Sequence, residues 1–172
     1  MKDDNEGFLS QLVHSVPQIG RVEWIGLSSR SRSNISAVSR VAAEAGTGLE
    51  GDHHSKRRPG GKRQVTLFQA EHLPVVAALV GENAIPLELL RRNIVVEGIN
   101  LLSLKGLRFQ IGGVLLEGTG SCDPCSRMEE NLGPGGYQAM RGHGGLTARV
   151  VEAGEIRIGD RVQVVGPVEQ EP

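Results

Sequence analysis

Two cysteines, Cys122 and Cys125, are separated by one aspartate and one proline. Asp123 can cap a helix, Pro124 suits a first helical position, and glycine and proline follow a few residues later. We therefore predict a short helix over about 124–132, with Cys125 at its second position. Free amide groups and the positive end of the helix dipole favour a thiolate there. Such a thiolate could attack an electrophile, carry sulfur as a persulfide or bind a soft metal.

Less specific interpretations of the cysteine pair are also open. Free cysteines are commonly inert buried residues. A thioredoxin-like redox pair is disfavoured because it requires a strand–helix context within a βαβ unit, which this sequence does not indicate. A zinc site would need two further ligands; His53 and His54 are candidates, but neighbouring histidines on a strand point in different directions. Two cysteines in a chain of 172 residues do not indicate a disulfide scaffold.

A second group of residues begins at the sequence Gly-Asp-His-His, residues 51–54, and continues into a glycine-rich basic loop. The five cations of this loop are Lys56, Arg57, Arg58, Lys62 and Arg63. Arginine forks and free backbone amides suit an anionic ligand with phosphate-like oxygens. The alternative is a solvated charged loop. The segment does not match the phosphate-binding pattern G-x-x-x-x-G-K-[ST].

Two further segments could contact a ligand. Arg91, Arg92 and Asn93 lie at a predicted junction between helix and strand, where the arginines could clamp a ligand or only face the helix dipole. His143 lies between glycines in the segment 141–149, where it could act as a general acid or simply occupy a turn.

Composition excludes several classes of protein. The net charge is −1, and only five of the 172 residues are aromatic, so we expect no nucleic-acid partner. No apolar run approaches the ~18 residues of a membrane span, and the acidic N-terminus does not resemble a secretory signal. We therefore expect a cytoplasmic protein without a membrane partner. The apolar content is that of an ordinary globular domain.

The elements that must position these residues are mostly strands. We predict strands at 21–27, 36–46, 64–69, 94–98 and 147–154, hairpins at 107–120 and 156–165, and short helices in 71–83 and 86–93. Successive hairpins favour an antiparallel barrel or curled sheet, mainly β with short helices (α+β), over a βαβ fold. We expect a flexible segment at 1–20, one domain at 21–166 and a disordered tail at 167–172.

Taken together, these segments resemble the MOSC domain, the module named after the C-terminal part of molybdenum-cofactor sulfurases. The matching segments are GTGLEGDHH (46–54), RQVTLFQAEHL (63–73), LLRRNIVVEGINLLSL (89–104), IGGVLLEGTGSCDPCSRME (111–129) and MRGHGGLTARVVEAGEIRIGDRVQV (140–164). They occur in the order of the family. The chain is most similar to its small stand-alone bacterial members.

The resemblance implies a closed β-barrel of antiparallel hairpins with flanking helices. It also implies binding of the molybdenum cofactor (molybdopterin), a pyranopterin dithiolene with a terminal phosphate. The family's invariant cysteine matches Cys125, as a molybdenum ligand or a persulfide carrier. The cofactor contacts that the resemblance makes plausible are Lys56, Arg57, Arg63, Arg92, Asn93 and Gly144.

For the reaction, the resemblance implies a two-electron reduction of small N-hydroxylated bases or amidoximes, with His143 or Asp52 handling the proton. Electrons would come from a separate flavin or iron–sulfur protein, because the chain has no cysteine-rich cluster, and its G-x-G-x-x-G spacing at 46–51 opens a loop and not the helix of a βαβ unit. Two alternatives stay open: a sulfur carrier that uses a Cys125 persulfide, and a non-catalytic anion-binding module. A homodimer is compatible with the sequence.

Overall fold

The computed structural model describes residues 3–168, and its largest feature is a β-sheet closed on itself. The strands are β1 (Gly20–Leu27), β2 (Ser36–Val38), β3 (Arg40–Glu44), β4 (Gly48–Leu49), β5 (Val65–Gln69), β6 (Ile94–Glu97), β7 (Leu107–Ile111), β8 (Val114–Ser121), β9 (Leu146–Glu152), β10 (Gly154–Arg157) and β11 (Arg161–Pro167). The helices are α1 (Asp3–His14), α2 (Leu73–Val80), α3 (Ser126–Leu132) and α4 (Gly136–Met140).

Seven strands form the closed barrel, in the order β1–β11–β7–β8–β9–β5–β6 and back to β1. The barrel closes where Gly20 pairs with Val162 and Arg21 with Arg161. The predicted closed barrel with short flanking helices is therefore confirmed. β2 extends the sheet beyond β1, while β10, β3 and β4 form a separate three-stranded sheet.

One strand pair departs from the predicted antiparallel pattern. β5 and β6 run parallel, with Leu67 opposite Ile94 and Gln69 opposite Val96. Parallel neighbours cannot be joined by a tight hairpin. The chain between them forms a crossover that contains α2 and a 3₁₀ turn at Leu87–Leu90. The barrel is thus mixed, with one β–α–β unit among its hairpins.

The crossover and the helices give the barrel wall two apolar layers at β5. Val65 and Leu67 belong to the cluster that fills the barrel, whereas Phe68 belongs to a second cluster with Val76 and Met128. All of these side chains are buried, so β5 is covered on both faces. Because α3 is anchored through Met128, the segment that precedes α3 is held at this side of the barrel.

Several predicted boundaries shift in the structure. The helix expected over 124–132 begins at Ser126, because Cys125 is extended (φ −122°, ψ 176°) and precedes the first turn. The region 86–93 forms only a 3₁₀ turn at Leu87–Leu90. α2 ends at Val80 before a left-handed Gly81, and the strand predicted over 36–46 is divided into β2 and β3.

The two chain ends are partly described. A helix, α1, occupies Asp3–His14 within the segment 1–20 for which the sequence predicts flexibility. The predicted tail begins in the last residue of β11, Pro167, and its residues 169–172 lie outside the described residues. Within residues 3–168, none of the helices has both the length and the apolar character needed to cross a membrane.

Candidate functional site

The carboxylate of Asp52 is the centre of a buried hydrogen-bond network. Oδ2 accepts from the backbone amide of Ser28 and from Asn93 Nδ2, both at 3.0 Å. Oδ1 accepts from the backbone amide of His54 at 3.0 Å and contacts His54 Nδ1 at 2.7 Å. Asp52 thus ties the Gly-Asp-His-His segment to β1 and to the start of β6.

These donors determine the protonation state of Asp52. Burial is the largest single effect and acts to raise the pKa, but the hydrogen bonds from His54 and Ser28 together outweigh it and lower the pKa of Asp52 to about 2. The carboxylate is therefore ionised at neutral pH and can only accept hydrogen bonds. It follows that His54 Nδ1 carries a proton, and that Nε2 of the neutral ring is the nitrogen that can accept one.

His53 lies against His54 but belongs to a different environment. The two ring centroids are 4.0 Å apart, and His53 Nδ1 lies 3.2 Å from the carbonyl oxygen of Ser28. Burial, followed by the charge of His54, lowers the pKa of His53. His53 is therefore neutral at physiological pH.

Cys125 lies at a cavity of about 220 Å³, which we call the Cys125 cavity. The Asp52–His54 pair also lines it. Of the two cysteines, Cys125 is exposed and Cys122 is buried. The cavity wall holds five arginines and a single acidic residue, Asp52; the arginines are Arg57, Arg63, Arg91, Arg92 and Arg127. The cavity therefore combines an accessible thiol with a large excess of positive charge.

Arg91 reaches this cavity through an unusual backbone. It has a left-handed conformation (φ 55°) at the end of the 3₁₀ turn, and its Nη1 donates to the carbonyl of Ser33 at 2.8 Å. Left-handed backbone costs a non-glycine residue about 1 kcal/mol or more. Burial and the nearby Arg127 cation both lower the pKa of Arg91. Two guanidinium groups that repel each other in one wall favour an anionic occupant.

Arg92 points in a different direction from its neighbour. Its side chain is buried and donates to the backbone carbonyls of Leu90 (2.9 Å), Cys122 (3.1 Å) and Gly144 (2.7 Å). It thereby joins three segments behind the cysteine loop. Among the side chains that the structure describes, residues 7–168, no carboxylate forms an ion pair with this buried cation.

The predicted site residues divide into two sets. Those that line the Cys125 cavity are Asp52, Arg57, Arg63, Arg92, Asn93 and Cys125. Lys56, His143 and Gly144 do not line it. Lys56 Nζ donates to the carbonyl of Ser29, and the His143 ring lies edge-on to His72, with Nδ1 3.0 Å from the carbonyl of Ala139.

Gly144 has a structural place behind the cavity. Its carbonyl accepts from Arg92, and a Cβ at this position would overlap the carbonyl oxygen of Cys122. Asn93 is likewise engaged within the protein: Oδ1 accepts from the amide and the hydroxyl of Thr66, and Nδ2 donates to Gly26 and Asp52. Both residues hold the site together.

Ser28 and Arg127 line the cavity and were not singled out in the sequence, whereas Arg91 and His54 were considered but were not assigned as cofactor contacts. Arg91 and His54 were visible in the sequence next to selected residues, but adjacency does not reveal which side chain turns inward. The helix predicted after Cys125 offered a signal for Arg127, because helical side chains tilt toward the N-terminal end of their helix, where Cys125 lies.

A divalent cation is disfavoured at the aspartate–histidine group. Ligand atoms of Asp52, His53 and His54 lie within 4.8 Å of one another, as in a metal site. However, both oxygens of Asp52 already accept hydrogen bonds. The surrounding arginines also oppose a cation.

A second and larger cavity adjoins the first. Its volume is about 590 Å³, and it shares Ile35, Arg91 and Arg127 with the Cys125 cavity. We call it the outer cavity; its remaining lining residues are Arg32, Asn34, Glu88, Leu89, Glu130 and Asn131. The side-chain amide of Asn131 donates to the carbonyl of Leu89 at 2.8 Å, so that α3 and the 3₁₀ turn form one continuous wall.

Comparison with known proteins supports the fold. The YuaD protein of Bacillus subtilis has a similar structure (TM-score 0.74, 21% identity), covering 87% of this chain and 98% of that one. YiiM from Geobacillus stearothermophilus is also similar (TM-score 0.68, 18% identity), and the match covers 85% of this chain and 75% of that one. For YiiM from Escherichia coli (TM-score 0.65, 19% identity), the match covers 87% of this chain and 72% of that one. A search of curated proteins gives no match. The family model of the MOSC domain matches residues 50–163, about two thirds of the sequence, and the chain therefore belongs to the MOSC domain family.

Proposed function

We propose that this protein binds the molybdenum cofactor through Cys125 and reduces small N-hydroxylated compounds, such as N-hydroxylated bases and amidoximes. The observation that carries the proposal is the composition of the Cys125 cavity. An exposed thiol lies beside five arginines, and the only carboxylate of the lining is already fully hydrogen-bonded. A soft, anionic, phosphate-bearing group fits this set of donors.

The residues present fit the cofactor at both of its ends. A cysteine thiolate is a suitable ligand for molybdenum that is already bound by dithiolene sulfur. Arg57, Arg63, Arg91 and Arg127 offer donors for phosphate and oxo oxygens, and Arg92 adds a buried positive charge without an ion-pair partner among the described side chains of residues 7–168. When bound, the cofactor would supply a metal that exchanges two electrons between its +4 and +6 states.

The reduction of an amidoxime consumes two electrons and two protons, and yields the amidine and water. We assign a proton-transfer role to His54 and a positioning role to Asp52. Asp52 keeps Nδ1 of His54 protonated and leaves Nε2 to take up and release a proton. Because Asp52 is ionised well below neutral pH, it is a poor proton donor. His143 lies outside the cavity lining and is the weaker candidate.

The electrons would come from a separate flavin or iron–sulfur protein. The Cys125 cavity opens to the surface, so a partner can approach it. We also propose a cytoplasmic location, because an exposed free thiol suits a reducing compartment.

The test is elemental analysis after expression in a host that makes the cofactor. Wild-type protein should retain about one molybdenum per chain, and Cys125→Ser should lose most of it. Cys122→Ser is the matched control and should keep the metal, because Cys122 is buried. Reduction of N-hydroxylaminopurine by reduced methyl viologen should follow the metal content. Wild-type protein without molybdenum and without turnover would overturn the proposal and leave an anion-binding module.

A second candidate is supported by the difference between the two cysteines. Cys125 is exposed and Cys122 is buried, so the protein presents one accessible thiol, as a persulfide carrier requires. After incubation with a sulfur donor, mass spectrometry should then find an adduct of about 32 Da on Cys125 that Cys125→Ser lacks. A thiol that stays unmodified under these conditions would exclude the carrier.

A further inference from the structure

We infer that the outer cavity is the substrate subsite of the proposed reductase, and that Glu88 and Glu130 make it selective for positively charged, amidine-like substrates. The inference rests on the proposed function only for the reaction. The binding preference itself follows from the lining of the outer cavity when an anion occupies the Cys125 cavity.

The first step is the continuity of the two cavities. They share Ile35, Arg91 and Arg127, so a molecule in the outer cavity reaches the edge of the space at Cys125. The shared arginines lie between the two volumes. A substrate in the outer cavity would therefore present its reacting group toward Cys125 and keep its remainder outside.

The second step is the change of charge across this boundary. The Cys125 cavity holds five arginines and one acid. The outer cavity holds three arginines, of which two are shared, and two glutamates. An anion in the Cys125 cavity would engage the shared Arg91 and Arg127. The charged residues that then remain in the outer cavity are Arg32, Glu88 and Glu130, which together carry one net negative charge.

The third step concerns the two glutamates themselves. Glu88 belongs to the 3₁₀ turn and Glu130 to α3, and both are exposed. Within residues 3–168 neither carboxylate has an ion-pair partner, although Arg91 and Arg127 line the same cavity. Two unpaired carboxylates can each accept N–H groups from an amidine, whose planar N–H pair matches a carboxylate.

The remaining walls suit the body of such a substrate. Half-buried Ile35 and Leu89 provide apolar surface for a ring. The walls are fixed by the hydrogen bonds from Asn131 to Leu89 and from Arg91 to Ser33. Arg32 and Arg91, the non-glycine residues with positive φ in residues 3–168, both line this cavity.

The test compares two ring compounds of opposite charge, benzamidine and benzoate. Binding is measured by isothermal titration calorimetry on the full chain, without reductant and in phosphate buffer, which supplies an anion to the arginines with or without cofactor. We expect benzamidine to bind more tightly than benzoate. Glu88→Gln and Glu130→Gln should each weaken benzamidine binding by about two- to fivefold, and added salt should reduce this difference.

The matched control is Glu82→Gln, which changes an exposed glutamate outside both cavities. It should leave benzamidine binding unchanged. Equal binding of the two probes, or identical results for all three variants, would overturn the inference.

Turnover separates this inference from the proposed function. In protein that contains the molybdenum cofactor, a benzamidoxime with a cationic substituent should be reduced with a higher kcat/KM than one with a carboxylate substituent. The Glu88→Gln variant should bring these two kcat/KM values closer together. Glutamate-dependent benzamidine binding without any reduction would refute the reductase and leave the subsite standing. Reduction without dependence on either glutamate would refute the subsite alone.

Discussion

At the scale of single residues, the site shows how partners decide what a side chain can do. Asp52 and Glu88 both carry a carboxylate near the same group of arginines. Asp52 is buried and receives hydrogen bonds at both oxygens, so its charge is fixed and serves to orient His54. Glu88 is exposed and unpaired among residues 3–168, so its charge remains available to a ligand.

The low pKa of Asp52 predicts a pH-dependent stability. The folded-state pKa of about 2 lies below the ordinary 3.8, so the stabilising contribution is complete above about pH 4 and is lost as the pH falls toward 2. The size of this contribution is about 2 kcal/mol. In Asp52→Asn this part of the pH dependence should disappear. Urea unfolding between pH 2.5 and 6, followed by the fluorescence of the single tryptophan, Trp24, measures it.

The control for this prediction is Glu82→Gln, an exposed carboxylate for which we expect the wild-type pH dependence. If Asp52→Asn loses stability by the same amount at every pH, the carboxylate does not titrate with the pKa stated here.

The residue scale is also where sequence analysis was least able to assign roles. Arg91 and Arg92 are neighbours of one type; the sequence alone left both open as ligand contacts, and the family resemblance favoured Arg92. In the structure Arg92 is buried against three carbonyls, and Arg91 carries the more accessible guanidinium. The difference follows from the left-handed backbone of Arg91. No local pattern predicts that conformation, because contacts distant in sequence, such as Arg91 to Ser33, support it.

At the scale of elements, hairpins could be predicted and the crossover could not. The hairpin of β7 and β8 was visible from alternation around Gly112 and Gly113. The parallel pairing of β5 with β6 was not, because it depends on how α2 packs against Phe68. The start of α3 was displaced for a similar reason: a cap at Asp123 and one at Cys125 are both compatible with the local sequence, and the extended backbone of Cys125 decides between them.

The loop before β9 depends on glycine for close contact as well as for conformation. Gly145 has φ 91°, and a Cβ there would overlap the carbonyl oxygen of Leu67 in β5. We expect Gly145→Ala to lower the free energy of unfolding by about 3 kcal/mol or more, from backbone strain and overlap together. Denaturant unfolding measures this loss.

Gly142 is the matched control in the same loop. It has a similar φ of 77°, but a Cβ would meet nothing within 4 Å. Gly142→Ala should cost only the backbone strain, about 1 kcal/mol. Equal losses in the two variants would show that conformation alone, and not the approach to β5, requires glycine at Gly145.

At the scale of the whole molecule, the net charge conceals a strongly basic cavity. The chain has a net charge of −1, which argued against an anionic macromolecular partner. The structure nevertheless gathers five arginines from the loop at 47–63, the 3₁₀ turn region and α3 around one cavity. Composition reports the sum of the charges, and only the fold determines where they meet.

The barrel closes without α1. Phe8, Leu9, Leu12 and Val13 are each more than half exposed, whereas the first residue of the barrel, Gly20, pairs directly with Val162. Val16, between them, packs against the barrel core. The helix therefore adds little buried surface, and the predicted flexibility of 1–20 stays a prediction that can be tested by deletion.

We expect a chain that lacks residues 1–14 to fold into the same barrel, because it keeps Val16 and every strand. Its melting temperature should stay within about 4 °C of the full chain, since a change of 1 kcal/mol shifts a domain of this size by about that much. Circular dichroism during heating measures this, and phosphate binding at the Cys125 cavity should be unchanged.

A chain that lacks residues 161–172 is the contrasting deletion. It removes β11, which pairs with both β1 and β7, and should abolish cooperative unfolding. Loss of cooperativity in the first deletion as well would show that α1 is required for the barrel to close.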